Sequence, residues 1–285
     1  VQYCKLLVEH LPKELNKVYL VNSGTEACEG ALKLVRRVTG RSQLISCNNA
    51  YHGNTMGSMS VMGFEERKQI FRPLIPDVDF ITFNNEDDLQ KITTKTAGII
   101  LESIQGGAGF IQPKNDFLAK VKKRCEEVGA LMIIDEIQPG FGRTGKLFGF
   151  ENYNVVPDVI IIGKGMAGGM PVGGFIANEK HMDLLSHDPK LGHITTFGGH
   201  PVIAAACLAT LQEVLEQDYA KKSLEKEVLF RSLLVHPLIQ EIRGKGLMLA
   251  AMTDNEEITN QVIIKCQDKG LILFWLLFEG KAIRI

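Results

Sequence analysis

The chain has 285 residues, 45% of them hydrophobic and 7% aromatic, enough to bury a sizeable core as one large domain with a smaller one attached. A formal net charge of −1, with lysines and arginines interspersed among acids, gives no basic field for nucleic acid or an anionic membrane surface and points to small-molecule chemistry. No apolar run reaches the roughly 18 residues of a membrane span, and six dispersed cysteines without a CxxC pair suggest neither a zinc site nor a disulfide framework, so a reducing cytoplasm is the expected setting.

The chain opens at Val1 and stops at Ile285 just after a strand-like run, and so reads as a piece of something longer. Val18 to Val21 is the first short β-branched run. Asn22-Ser23-Gly24-Thr25-Glu26-Ala27 follows it and opens a helix. The amides of Gly24 and Thr25 and the hydroxyls of Ser23 and Thr25 there form an anion site at a positive helix end. These six residues taken alone serve equally well as a plain N-cap with an acid in the first turn. Leu44 to Cys47 is the second strand, and Tyr51-His52-Gly53 follows it before another helix start. Tyr51 can stack on a planar ring, although a loop aromatic is more often packing, and His52 reads as a hydrogen-bonded loop histidine, with no second histidine at metal-ligand spacing.

Phe80 to Phe83 and Ala97 to Leu101 continue the strands, and Glu102-Ser103-Ile104-Gln105-Gly106-Gly107-Ala108-Gly109 ends the latter in a loop open to a ligand or simply a wide turn. Asn115 to Glu127 has Phe117, Leu118, Val121 and Cys125 at helical spacing. Leu131 to Ile134 delivers Asp135 at a strand end, and Val159 to Ile162 delivers Lys164 into a run of glycines. Thr195-Thr196-Phe197-Gly198-Gly199-His200-Pro201 precedes a helix from Val202 to Glu216, and its hydroxyls and glycines suit a phosphate or a cap. A second helix over Leu224 to Leu234, a strand within Ile239 to Thr253, a helix over Ile258 to Asp268 and a strand over Leu271 to Trp275 complete the order. The β-α-β rhythm predicts a mainly parallel α/β sheet with helices on both faces. A domain change is placed near Asp218, giving a large domain over 1–217 and a partial C-terminal α+β domain over 218–285.

Strand ends in such sheets are where ligands bind, so the Asp135 acid and the Lys164 amine are expected to face one crevice. A lysine that holds an aldehyde as a Schiff base, and an acid that keeps a pyridine nitrogen protonated, are the protein's half of pyridoxal phosphate (PLP) chemistry. The amine must lose its proton to act; partial burial can lower its pKa from about 10.4 towards roughly 7 to 8, and the apolar strand before Lys164 suits that shift. Alone, Lys164 reads as a surface lysine before a flexible loop. Gly163, Gly165 and Gly168 fit a GxGxxG pattern formally, but a lysine inside the turn argues against a dinucleotide.

In this order, over nearly the whole chain, these segments resemble the class III (ω-amino acid) PLP-dependent aminotransferases of fold type I, of the acetylornithine and ornithine aminotransferase kind. The resemblance implies that Lys164 binds the cofactor aldehyde and shuttles the proton, and that Asp135 pairs with the pyridinium nitrogen. It further implies that Gln138 contacts the ring hydroxyl and Tyr51 stacks on the ring, with His52 beside it in the cofactor-binding set. Ser23, Gly24 and Thr25 would hold the phosphate and Glu102 would support the ring. Thr196 would reach the phosphate of a neighbouring subunit's cofactor, which implies a homodimer. The implied reaction moves an amino group from a small-molecule donor to a 2-oxo acid such as 2-oxoglutarate with ping-pong kinetics, and no metal is implied.

Two departures bear on the donor. Asn54 stands where the family usually has an arginine for a substrate carboxylate, and Gly107 stands where it usually has a glutamate that masks a second arginine. Arg284 resembles that second arginine, which binds the α-carboxylate of glutamate or 2-oxoglutarate, so the 2-oxo acid half-reaction is expected to be retained with Arg284 unmasked. Losing a bidentate contact of about 1.5–3 kcal/mol disfavours a donor that needs Asn54's usual arginine. The competing readings are an aminomutase or decarboxylase on the same fold, or a PLP-binding protein without turnover.

Overall fold

A computed structural model describes residues 1–285. Seven strands form the first sheet: β1 Lys17–Val21, β2 Gln43–Cys47, β3 Val78–Ile81, β4 Thr96–Glu102, β5 Leu131–Asp135, β6 Val159–Gly163 and β7 Gly173–Ala177, in the spatial order β1-β7-β6-β5-β4-β2-β3. Strands β2 to β6 are mutually parallel, and β7 runs antiparallel to both β6 and β1. Two reversals make β1 parallel to the main set, so its C-terminal end emerges on the same edge as theirs.

The sheet is covered on both faces, and the side-chain alternation of the central strands sorts the core accordingly. Ile99, Leu101, Met132, Ile134, Ile160 and Ile162 belong to one cluster. It includes Tyr3 and Leu7 of α1 (Gln2–Glu9), Phe117, Leu118, Val121 and Cys125 of α4 (Phe117–Val128), and Cys207 and Leu211 of α6 (Pro201–Glu216). The alternate residues Ile100, Ile133 and Ile161 pack with Ala27, Ala31, Leu34 and Val35 of α2 (Gly24–Thr39) on the opposite face. Each fully buried Leu or Ile contributes about 1.5–3 kcal/mol, and strands buried on both faces read as continuous apolar runs for this reason.

Short helices α3 (Met56–Ser60) and α5 (Glu179–Asp183) follow β2 and β7. Helix α7 (Tyr219–Leu233) leads to a four-stranded antiparallel sheet in the order β10-β11-β9-β8, with β8 Glu241–Lys245, β9 Met248–Met252, β10 Phe274–Trp275 and β11 Ala282–Arg284, and with α8 (Glu256–Gln267) between β9 and β10. The apolar run expected as one strand within Ile239 to Thr253 is a hairpin, β8 pairing β9, because Gly246 turns the chain at φ 60. The second sheet packs on the loop after β4 through Ile104 and Phe110, which cluster with Met248, Ala250, Met252 and Leu276.

Strand β7 lies in the stretch after the glycines that follow Lys164, where the β-α-β rhythm gives no strand. Lys164–Ala167 forms a 3-10 turn directly after β6.

Candidate active site

The C-terminal ends of β4, β5 and β6 place three functional groups side by side. Glu102 and Asp135 are paired neighbours in the β4–β5 register, and Lys164 follows Gly163, the last residue of β6. The N-terminus of α2 arrives from β1 at the same edge. Together they line a cavity of about 320 Å³ with Tyr51, Asn54, Gln138 and Leu277, within the roughly 300–1,000 Å³ of ligand sites.

Asp135 is buried, and its carboxylate is held from two sides: His52 Nδ1 lies 2.7 Å from Oδ2 and Ile137 N donates to Oδ1 at 2.9 Å. Two contacts fix the group without exhausting its roughly four acceptor positions. Glu102 is buried as well, with Gly106 N donating to Oε2 at 2.7 Å and Tyr51 N to Oε1 at 3.4 Å. Burial pushes its pKa up to about 7; the neighbouring His52 and the two amides oppose the rise, and the Asp135 charge adds to it. Glu136, adjacent to Asp135, stays outside the cavity lining and accepts from Gly149 N at 2.6 Å and Phe150 N at 2.8 Å. Burial raises its pKa to about 8, and it anchors the turn at Gly149.

Lys164 lines the cavity with an exposed side chain, not the partly buried one expected from the apolar strand before it: Lys164 and Gly165 are exposed between the buried Gly163 and Met166. Its backbone is held at φ 41, in the left-handed region that non-glycine residues rarely adopt.

At the head of α2, Gly24 and Thr25 line the cavity, whereas the Ser23 hydroxyl accepts from Glu26 N at 3.3 Å as the helix N-cap. Thr25 Oγ1 lies 2.8 Å from Thr55 Oγ1 and 2.7 Å from Ser58 Oγ. Glu29 holds this cluster in turn, accepting from Thr55 Oγ1 and, at 3.0 Å, from Ser58 N. Gly53 is packed beneath it, since a Cβ there would lie 2.3 Å from Thr25 Oγ1.

Of the residues singled out in the sequence, Gly24, Thr25, Tyr51, His52, Asn54, Glu102, Asp135, Gln138 and Lys164 are brought to one cavity. Ser23, Thr196 and Arg284 are not among its lining. Thr196 is exposed, and Arg284 is half-buried on β11. Arg284 has no acidic partner and sits close enough to Arg143 that its charge, after desolvation by the surrounding protein, lowers the Arg143 pKa. Ile137, Pro139 and Leu277 line the cavity and were not singled out. The Asp135-x-Ile137 spacing was the available signal for Ile137, since its amide is what the carboxylate accepts from.

The chain matches the family described as Aminotransferase class-III over residues 1–285, its whole length. The chain belongs to the class-III aminotransferase family. This class-III chain is 39% identical over 266 residues to the [LysW]-aminoadipate semialdehyde/glutamate semialdehyde transaminase of Sulfolobus acidocaldarius, covering 92% of this chain and 67% of that relative. It is 38% identical over 256 residues to the acetylornithine aminotransferase of Methanopyrus kandleri, covering 89% of this chain and 65% of that one. The chain thus spans about two thirds of the length of these relatives. Among solved structures, the ornithine aminotransferase of Toxoplasma gondii ME49 superposes with a TM-score of 0.91 at 28% identity, covering 99% of this chain and 70% of that one. The taurine:2-oxoglutarate aminotransferase of Bifidobacterium kashiwanohense, solved in complex with PLP and glutamate, gives 0.89 at 27% identity, with 99% and 73% covered. The class-III chain has the fold of these transaminases, type I of the PLP-dependent transferases, as expected from its sequence.

Proposed function

We propose that the chain carries the active site of a PLP-dependent aminotransferase that moves an amino group from an ω-amino acid or amine to a 2-oxo acid such as 2-oxoglutarate. The observation that carries this reading is that Lys164 and Asp135, from adjacent strands, line one cavity whose opposite supports are the α2 N-terminus and an aromatic loop residue. The fit to PLP rests on that donor set: a carboxylate fixed by two donors yet retaining acceptor positions, an accessible amine, and backbone amides at a positive helix end.

Bound PLP supplies an electrophilic aldehyde and an electron-withdrawing ring. Asp135 would accept from its ring nitrogen, with His52 and Ile137 orienting the carboxylate. Gln138 would contact the ring hydroxyl, Tyr51 would stack on the ring, and Glu102 would support it. Gly24 and Thr25, with Ser23 at the cap, would hold the phosphate. Lys164 would hold the cofactor through Nζ and, when displaced by the donor amine, move a proton at the substrate carbon. Arg284, without an acidic partner and beside a second guanidinium, would take the 2-oxo acid's α-carboxylate.

The exposure of Thr196 outside its own chain's cavity supports a homodimer in which it reaches the neighbouring site. The boundary near Asp218, between a large domain over 1–217 and a partial small domain over 218–285, is part of the same proposal; the first sheet ends at Ala177 and the second begins at Glu241. All six cysteines are free thiols and no helix is long and apolar enough to cross a membrane, which supports a cytoplasmic setting.

Incubation of the protein with PLP, 2-oxoglutarate and a panel of amines and amino acids tests the reading. Glutamate should form from at least one donor and only when 2-oxoglutarate is present. No glutamate from any donor, or product formed over many turnovers without a 2-oxo acid, would overturn it in favour of a mutase, a decarboxylase or a non-catalytic binder; a single equivalent of product released without a 2-oxo acid is the first half of a ping-pong cycle.

A further inference from the structure

Three loops remote in sequence meet beside the cavity. Phe278 N donates to Gly107 O at 2.9 Å. The Phe278 ring stacks on Phe64 with centroids 4.7 Å apart and planes at 23°, and the Arg67 guanidinium sits over the same ring at 5.6 Å while Nη2 donates to Leu277 O at 3.4 Å. A Cβ on Gly107 would lie 2.8 Å from Phe278 Cδ2 and 2.9 Å from Cε2. Phe278 cannot yield that space without leaving Phe64 and Arg67. The volume at position 107 is therefore filled by an aromatic ring supplied from residue 278, with no room for a side chain of its own.

This latch decides what the cavity offers a substrate. Gly107 and Leu277 both line it, and Leu277 keeps 38% of its surface exposed. Lys164 is the only lysine or arginine among the lining residues, which also include Glu102 and Asp135. With Asp135 and Glu102 engaged by the bound cofactor, a carboxylate at the far end of an amino donor would meet Asn54 and an apolar side chain, and a desolvated charge without a partner is strongly disfavoured. Arg67, which braces this wall, is engaged with the Phe278 ring and the Leu277 carbonyl, and Arg284 serves the α-carboxylate of the 2-oxo acid in the proposed reaction.

Resting on the aminotransferase reading, we propose that the Gly107–Leu277–Phe278 wall, braced by Phe64 and Arg67, is a specificity determinant that selects primary amines with an apolar group distal to the nitrogen and rejects ω-amino carboxylates. The wall acts through shape at Gly107 and through the absence of a partner for a terminal charge at Leu277.

The test compares n-pentylamine with 5-aminopentanoate, which share a five-carbon skeleton and differ in the terminal group, using the PLP-loaded protein with 2-oxoglutarate as the amino acceptor and reading the glutamate half-reaction separately in single turnover. The expected kcat/KM for pentylamine exceeds that for 5-aminopentanoate by about tenfold or more, and Leu277→Arg reverses the preference. In the cofactor-free protein, Gly107→Ala should lower the melting temperature, and a Phe278→Ala background should remove most of that loss, a coupling expected only if the ring fills the space at 107. If glutamate reacts but 5-aminopentanoate matches or outpaces pentylamine, the wall proposal is overturned and the aminotransferase reading stands. A Gly107→Ala protein as stable as the parent also overturns it. Absence of any glutamate half-reaction overturns the aminotransferase reading and this proposal with it.

Discussion

His52 Nδ1 lies 2.7 Å from Asp135 Oδ2, with both residues buried, and the other ring nitrogen of His52 has no hydrogen-bond partner. The contact joins the loop after β2 to the end of β5 and leaves the Ile137 amide as the only other donor to that carboxylate. Replacing His52 by Ala removes one support of a buried charge-bearing group, an interaction of about 1.5–3 kcal/mol. His52→Ala should therefore weaken PLP affinity by roughly 10- to 100-fold, and His52→Asn, which restores a donor, should recover part of the loss. Titration of cofactor-free protein with PLP reads this directly; unchanged affinity in His52→Ala would show that the histidine does not position Asp135.

Lys164 separates activity from stability. Its side chain is exposed and makes no ion pair, and its backbone sits at φ 41, which costs an alanine no less than a lysine. Lys164→Ala should fold with a stability within about 0.5 kcal/mol of the parent. Its glutamate half-reaction should fall by about 10²- to 10⁴-fold, the usual contribution of a positioned acid–base group. Urea unfolding and single-turnover kinetics on the same preparation test the pair of statements, and retention of full activity removes Lys164 from its proposed role.

The apolar strand runs and the residues at their C-terminal ends were legible because parallel strands buried on both faces leave little else for Leu131 to Ile134 or Val159 to Ile162 to be. With those strands placed, Asp135, Glu102 and Lys164 necessarily converge on one edge. Strand β7 was illegible for a related reason: Gly173 and Gly174 continue a glycine run, and they are strand residues because β1 and β6 flank them, with a Cβ on Gly173 reaching 2.1 Å from Ser23 O. The β8–β9 turn is marked by a polar, glycine-containing break, Arg243-Gly244-Lys245-Gly246, ahead of the apolar β9, so the pair of strands was available to be read there. Leu277 and Pro139 reach the cavity only through tertiary closure, and no local pattern distinguishes them. Arg284 and Thr196 carried a family role in the sequence, yet neither lines the cavity of its own chain.

Glu102 gives the protein a pH dependence of defined sign. Its folded pKa, about 7, stands above the ordinary carboxyl value of 4.5, chiefly through burial. Between those values the folded state binds more protons than the unfolded state, so stability falls as pH rises through the window and levels off above it. Glu136 acts in the same direction up to about 8. The Glu102 share is isolated by the difference between the parent and Glu102→Gln: the variant should decline less steeply between pH 4.5 and about 7, keeping the Glu136 share there, and should follow the parent's slope above about 7. Unfolding free energies of cofactor-free protein across this range check it, and parallel curves for the two proteins would refute it.

Gly30 inverts a familiar rule. An interior helix glycine replaced by alanine usually gains about 0.8–1 kcal/mol, but α2 lies so close to β7 that a Cβ on Gly30 would sit 2.3 Å from Phe175 Cε1 and 2.7 Å from Cδ1. The ring has nowhere to go: Phe175 is fully buried, stacked on Tyr19 with centroids 5.2 Å apart and edge-on to His193 at 5.6 Å. Overpacking of this kind costs about 1–3 kcal/mol, which offsets or exceeds the helix gain, so the substitution should destabilise by a net of up to ~2 kcal/mol in urea unfolding, with Phe175→Leu in the same chain recovering part of it. Because the same helix presents Gly24 and Thr25 to the cavity six and five residues earlier, lifting it off β7 should also weaken PLP binding. A Gly30→Ala protein that gains stability would show that the helix can rise freely, and would remove the rigid α2–β7 contact as the support of that end of the site.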